Sequence, residues 1–85
     1  MKIKLLLFAK AREIVGSSEL SLEIEESFST THGALLEHLT SVAFPALEPI
    51  ISSCILAINQ EYSIDHTTII NEGDEVALIT PISGG

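Results

Sequence analysis

The sequence predicts an α+β domain, a mixed sheet of four or five strands with one main helix lying across one face. Three features lead to that class. Two N-terminal runs, 2–9 and 19–24, alternate their side chains with the period of a strand. A single stretch, beginning at Thr30 or Thr31 and ending at Pro45, repeats its apolar residues at helical spacing. Two further apolar runs, 54–59 and 75–80, are set off by turn residues. A hairpin, one crossover helix and then more strands make a sheet with a helix packed on it. A right-handed crossover brings the last strand beside the first, parallel to it, in the middle of that sheet.

Each element has its own warrant. In 2–9, Ile3, Leu5 and Leu7 share one face, and Lys2, Lys4, Leu6 and Phe8 share the other, which begins polar and turns apolar. Residues 10–15 predict a single helical turn ended by Gly16, which can take positive φ. In 19–24, Leu20, Leu22 and Ile24 point inward against Glu19, Ser21 and Glu23, as in a strand with one wet face. It pairs with the first strand across a connection longer than a tight turn. After the polar stretch 27–31, the helix carries Leu35, Leu36, Leu39, Val42 and Ala43 on one stripe, with Thr30 or Thr31 as N-cap. Pro45 halts it, because the residue before a proline avoids the helical region. Residues 46–51, with Pro49 inside, predict a loop or one irregular turn. A third strand over 54–59, a turn at 59–61 and a short edge strand from 62 to 64 follow. Asn71-Glu72-Gly73-Asp74 is a strong turn signal before the last strand. The arrangement resembles the β-grasp of ubiquitin and is expected over 1–80, with 81–85 as a flexible tail.

Composition narrows the class of activity. Eighty-five residues make one domain, and with 46% apolar residues and no tryptophan its core is aliphatic. The single cysteine, Cys54, excludes an intrachain disulfide and fits a reducing compartment. The apolar run at the N-terminus is too short to span a membrane and lacks a small-residue cleavage site, so the expectation is a cytosolic protein off the membrane. All four cations, Lys2, Lys4, Lys10 and Arg12, precede the twelve acids, which run from Glu13 to Glu75, and the net charge is −8. That surface disfavours nucleic acid. It either steers a partner with a basic face or serves solubility alone.

Two stretches carry the functional expectation. Residues 76–79 are apolar on both faces of their strand, and the helix covers only one. Leu6 and Phe8, with Ala77 and Ile79 or with Val76 and Leu78, then form an exposed apolar patch, the mark of a docking surface, unless 45–51 folds over it. The second stretch is Pro81-Ile82-Ser83-Gly84-Gly85. Ordinary glycine usage puts a pair at the last two positions of about one chain in 200, so the ending invites a chemical reading over that of a frayed terminus. Without Cβ atoms the backbone fits a slot too narrow for any side chain. An α-carboxylate there is ionised, with a reference pKa of about 3.3 to 3.7, and is a poor electrophile until activated. Adenylation by ATP supplies a leaving group, and a sulfur donor displacing AMP leaves a terminal thiocarboxylate. Pro81 has no backbone donor and ends the ladder. Five residues then reach about 17 Å at most. Ordering residues 82–85 costs roughly 4 to 8 kcal/mol of backbone entropy, so the body must bind a partner as well, through an interface of about 1,200 to 2,000 Å².

Four segments complete the reading: Phe8-Ala9-Lys10-Ala11-Arg12-Glu13-Ile14-Val15-Gly16, Ala57-Ile58-Asn59-Gln60-Glu61-Tyr62, Glu72-Gly73-Asp74-Glu75-Val76-Ala77 and the Pro-Ile-Ser-Gly-Gly end. Together they resemble the small subunit of molybdopterin synthase over essentially the whole chain. The Gly-Asp-Glu-Val turn and the Gly-Gly end are shared with the thiamine sulfur carrier. The resemblance implies that Gly85 is converted to an acyl-adenylate by an activating enzyme similar to those of ubiquitin and then to a thiocarboxylate. ATP is used only in that step, and no cofactor stays bound. It implies that Pro81, Ile82, Ser83 and Gly84 insert into the large subunit of molybdopterin synthase, two small and two large subunits forming the complex. There sulfur passes to cyclic pyranopterin monophosphate. Leu6, Phe8, Arg12, Ala77 and Ile79 are the expected partner-binding patch, Arg12 either meeting the large subunit or forming an ordinary salt bridge. Many members carry a second proline where this chain has Thr80, which implies a slightly less rigid tail base. Sulfur carriage for thiamine or tRNA thiolation, ubiquitin-like modification, and a non-catalytic interaction module are the alternatives.

Other chemistry-bearing residues carry less. His32, His38 and His66 lack the spacing of a metal set, and Cys54 with His38 makes only two ligands, so no metal is expected. Cys54 fits a buried strand position better than a nucleophile. Asp74 and Glu75 are turn residues first, and a contact to the activating enzyme is secondary. No Ser-His-acid set or phosphate loop occurs, which leaves the terminus as the only reacting group.

Overall fold

Alternation in the first strand places three branched residues on one side, and burying them is what orders the sheet. In the computed structural model, which describes residues 1–25 and 29–80, β1 (Lys2–Leu7) buries Ile3, Leu5 and Leu7 almost completely. It pairs antiparallel with β2 (Glu19–Glu23), aligning Ile3 with Leu22 and Leu5 with Leu20 on that inner face. The longer connection is α1 (Ala9–Val15), two turns where one is predicted, closed by Gly16 at φ 86°. The last strand, β7 (Glu75–Ile79), lies parallel to β1, Leu5 beside Val76 and Leu7 beside Leu78. On its far side β7 pairs antiparallel with β4 (Ile55–Ile58), which forms a hairpin with β5 (Glu61–Ser63). The resulting five-stranded order is β2-β1-β7-β4-β5. Asn59 and Gln60 both take positive φ, 50° and 72°, the two-residue turn whose twist matches a hairpin.

The helix layer covers one face. Thr31 caps α2 (His32–His38), its side chain accepting from the Ala34 N–H at 3.2 Å, and Leu35 and Leu39 are fully buried. Val42, expected on the same stripe, is 68% exposed. The turn over Leu39–Ala43 is widened, closed by Phe44 N–H on the Leu39 carbonyl at 2.7 Å. A wider turn holds more residues, so the inward position passes from Val42 to Ala43 and Phe44, which pack on the core. The Thr40 hydroxyl donates toward the carbonyls of Leu36 and Glu37 at 3.2 and 3.3 Å and competes with the regular ladder there. Phe44, before Pro45, leaves the helical region at φ −140° and ψ 76°.

Residues 45–51 are helical rather than looped. A single 3₁₀ turn, Pro45–Leu47, runs into α3 (Glu48–Ile51), since both prolines fall in first turns, where no N–H is needed. Leu47 is fully buried with Leu7, Leu35 and Leu39. The segment therefore completes the helix-bearing side instead of folding over the open face. A small second sheet, β3 (Ser29–Thr31) with β6 (Ile69–Asn71), also escapes the sequence reading and buries Ile70. At the lower end Asp74 ties two turns, accepting from the Asn59 side-chain amide at 3.1 Å and the Asn71 N–H at 2.8 Å. No single helix among the described residues is long and apolar enough to cross a membrane.

Candidate docking face and tail root

Strand register determines which side chains meet on the uncovered face. Leu6 lies beside Ala77, Ala77 beside Ala57, and Ala57 beside Tyr62, so one row of side chains crosses four strands. The next row pairs Ile79 with Ile55. Phe8 keeps an extended backbone at φ −124° and ψ 154°, so alternation carries it to the side of Leu6, where it is 47% exposed. Ala77 and Ile79 are thus the outward set, and Val76 and Leu78 belong to the core. Tyr62 is 75% exposed and Ile55 41%.

The same face is charged at its other end. Lys4 reaches Glu19 at 3.1 Å and Glu75 at 4.0 Å, and its hydrogen bond to Glu19 raises the lysine above its ordinary range. These exposed pairs contribute little to stability. They divide the face into an ionic half and an apolar half, and the apolar half lies toward the C-terminal end of β7.

Of the residues expected on the patch, the fold brings together Leu6, Phe8, Ala77 and Ile79. Arg12 stands apart on α1, exposed, with no ion pair among the described residues, lining a shallow cleft with Glu13 and Ser17. Ile55 and Tyr62 were not anticipated. The apolar run 54–59 and the short strand at 62–64 were visible, but only the pairing of β4 with β7 shows which of their side chains join this face.

Pro81, Ile82, Ser83, Gly84 and Gly85 lie outside the described residues, which end at Thr80. Thr80, where a second proline is common, is tied to the body by its side chain. Its side chain is buried and accepts from the Lys10 N–H at 3.0 Å while donating to the Phe8 carbonyl at 3.3 Å.

The remaining polar groups are structural. Cys54 is half-buried, its thiol donating to the Ile50 carbonyl at 3.3 Å, and burial pushes it above its ordinary range. Among the described residues no three His, Cys, Asp or Glu side chains are placed to hold a metal. His32 is buried, shares a 2.7 Å hydrogen bond with Ser63 through Nδ1, and stacks on His66 with ring centroids 4.6 Å apart. Replacing Ser63 by Ala leaves that nitrogen unpaired, for an expected loss of about 1 to 3 kcal/mol in urea unfolding.

Burial and the neighbouring His66 hold His32 below its ordinary 6.5, partly opposed by a backbone hydrogen bond and the charge at Asp65. As pH falls the unfolded chain is protonated first, so the stability due to neutral His32 is complete above about pH 6.5 and declines below it toward the lower folded value. The expected result is a lower urea midpoint at about pH 5.5 than at about pH 7.5, with a smaller difference in His32→Gln.

An α+β body of sheet order β2-β1-β7-β4-β5, with helices on one face and apolar side chains on the other, is of the ubiquitin-like β-grasp class. The family model described as the ThiS family matches residues 5–85. The chain belongs to the ThiS family. It is 46% identical to the molybdopterin synthase sulfur carrier subunit of Arabidopsis thaliana, over all of this chain and 84% of that one. Against the subunit of the same name from Chlamydomonas reinhardtii it is 41% identical, with both chains fully covered. Among solved structures it resembles SAMP1 from Haloferax volcanii, at a TM-score of 0.81 and 28% identity over the whole of both chains. The fold is also that of one chain in a structure named as the complex of subunits 1 and 2 of the molybdopterin-converting factor from Helicobacter pylori, at a TM-score of 0.68 and 18% identity, all of both chains being covered.

Proposed function

We propose that this chain is the sulfur carrier subunit of a molybdopterin synthase, acting in the cytosol through its terminal carboxylate. The observation that carries the reading is the match, at 46% and 41% identity across the whole chain, to subunits with that role in their names. An apolar sheet face ending where the tail begins is the form such a role requires. The Gly85 carboxylate attacks the α-phosphate of ATP on an activating enzyme, forming the acyl-adenylate and releasing pyrophosphate. A donor at the oxidation level of sulfide attacks the acyl carbon, the bond to AMP breaks, and the thiocarboxylate remains.

The body then docks through Leu6, Phe8, Ile55, Ala77 and Ile79 on the large subunit, with two copies of each subunit in the complex. Residues 81–84 enter the partner's active site, which supplies the catalytic groups. The thiocarboxylate sulfur bonds to a carbon of cyclic pyranopterin monophosphate with loss of an oxygen substituent as water, a second water cleaves the acyl carbon–sulfur bond, and Gly85 returns to a carboxylate for another cycle. Holding the thiocarboxylate at high effective concentration is the body's contribution to the rate. No metal or tightly held cofactor takes part on this subunit.

Intact mass measurement of the chain, expressed with its cognate activating enzyme, tests the chemistry: one oxygen is replaced by sulfur, and fragmentation localises the change to Gly85. A second reading, attachment to other proteins, draws on the likeness to SAMP1, whose family of names includes small archaeal modifier protein 1. Gly85 found only in isopeptide bonds to lysines, with no thiocarboxylate, would replace the first reading by the second.

A further inference from the structure

The geometry points to Thr80 as the positioning residue of the reacting terminus: its side chain clamps the end of β7 to the start of α1 and so sets where and in which direction residues 81–85 depart. The inference rests on the sulfur-carrier reading and assigns a task within it. Three observations carry it.

The first is an unusual division of labour at α1. A helix start leaves backbone N–H groups without partners, and these are ordinarily met by the N-cap side chain. Phe8, the N-cap of α1, has no such group and makes no capping bond. Thr80, 70 positions away in sequence, accepts from the Lys10 N–H at 3.0 Å instead.

The second is backbone strain at the same spot. Ala9 takes φ 51°, a region that non-glycine residues seldom enter and that persists only where surrounding contacts enforce it. The Thr80 hydroxyl bridges the residues on either side of Ala9, accepting from Lys10 and donating to the Phe8 carbonyl at 3.3 Å. The bend from β1 into α1 is therefore tied to the end of β7 by this side chain, itself 7% exposed, beside one backbone bond from the Phe8 N–H to the Leu78 carbonyl at 3.2 Å.

The third is what the clamp joins. Phe8 provides the bonded carbonyl and also a half-exposed ring on the docking face. A partner that seats Phe8 thereby fixes the origin of the tail. The tail starts at this junction, so a displaced root displaces the end that the partner receives, and misplacement by about 1 Å costs on the order of 100-fold in rate.

Thr80→Val removes both hydrogen bonds at nearly constant shape, and Thr80→Ser restores the hydroxyl. In single-turnover sulfur transfer from thiocarboxylated carrier to cyclic pyranopterin monophosphate on the large subunit, Thr80→Val is expected to lower the saturating rate about 10- to 100-fold. The half-saturating concentration of large subunit stays within about 2-fold, and Thr80→Ser recovers most of the rate. A purely structural role moves the thermal midpoint but not the rate at saturation among molecules still folded. A second measurement does not depend on the acceptor. Pulsed electron spin distances between labels at Glu13→Cys and Ser83→Cys, in a Cys54→Ser background, are expected to broaden in Thr80→Val and not in Thr80→Ser. An unchanged distribution in Thr80→Val overturns the proposal, as does a wild-type transfer rate. A distribution that broadens as expected while the wild-type chain transfers no sulfur upholds the clamp and overturns the sulfur-carrier reading alone.

Discussion

Removing Gly84 and Gly85 is expected to abolish sulfur transfer while leaving the body folded. Each residue advances an extended chain by about 3.3 to 3.6 Å, so the shortened terminus stops roughly 7 Å before the place where its acyl carbon reacts. A shift of that size exceeds anything a partner absorbs by small rearrangement, since errors near 1 Å already cost about 100-fold. The new terminal carboxylate also sits on Ser83, whose Cβ adds bulk that the two glycines lack. The deletion leaves every described contact of the body in place. Its cluster of buried aliphatic residues runs from Met1 to Leu78, and the last hydrogen bonds that close it are made by Thr80. Unfolding free energy is expected within about 0.5 kcal/mol of the intact chain, a shift of no more than roughly 2 to 4 °C in Tm for a domain of this size. Transfer assayed by conversion of the pterin falls to background, and circular dichroism melting stays in place. A full-length chain whose Gly85 carbonyl is capped as an amide should behave the same way, and sulfur transfer from that chain would refute the terminus as the reacting group. A non-catalytic interaction module predicts the reverse, since its role survives without the two glycines.

How far the sequence discloses this fold depends on the range of the interactions that form each part. Strands whose outcome is decided locally were readable: alternation in 2–9 and 19–24 requires one buried face, and Ile3, Leu5, Leu7 and Leu22 are buried there. The parallel union of the first and last strands followed from the handedness of crossovers and stands in the register of Leu5 with Val76. Features decided by a competing hydroxyl or by distant partners were not readable. The widened turn that expels Val42 depends on Thr40 and Phe44 together. Three-residue strands such as β3 and β6 are too short to show a period, and only their mutual pairing reveals them. The same divide runs through the site. Leu6 and Phe8 were legible as an outward apolar pair, whereas Ile55 and Tyr62 join them only because β4 happens to flank β7. Thr80 looked like a loss of stiffness, because no local pattern signals a hydrogen bond to a helix start 70 residues earlier.

Charge at Phe8 is the second large effect expected, and it isolates the docking step. An aspartate at Phe8 places a carboxylate where the partner has to remove water from the Leu6, Ile55, Ala77 and Ile79 face, and a buried unpaired charge opposes association strongly. Truncation of an aromatic anchor alone costs about 2 kcal/mol or more at a central position. A loss of about 2 to 4 kcal/mol in Phe8→Asp corresponds to a Kd raised roughly 30- to 1,000-fold, measured by titration calorimetry against the large subunit. Folding should tolerate the change, because Phe8 is 47% exposed in the isolated body and contributes its carbonyl, not its ring, to the start of α1. Val42→Asp supplies the matched control. Val42 is also exposed, at 68%, but it stands on the helix layer, and a carboxylate there leaves the Kd within about 2-fold because exposed substitutions remote from an interface are close to neutral. Equal weakening by both variants would mean that net charge, already −8, governs the encounter rather than the sheet face. Collapse of the circular dichroism spectrum in Phe8→Asp would place the ring in the core. Weakening by Phe8→Asp alone, with the spectrum intact, is the outcome that a flat apolar face ending beside Thr80 requires.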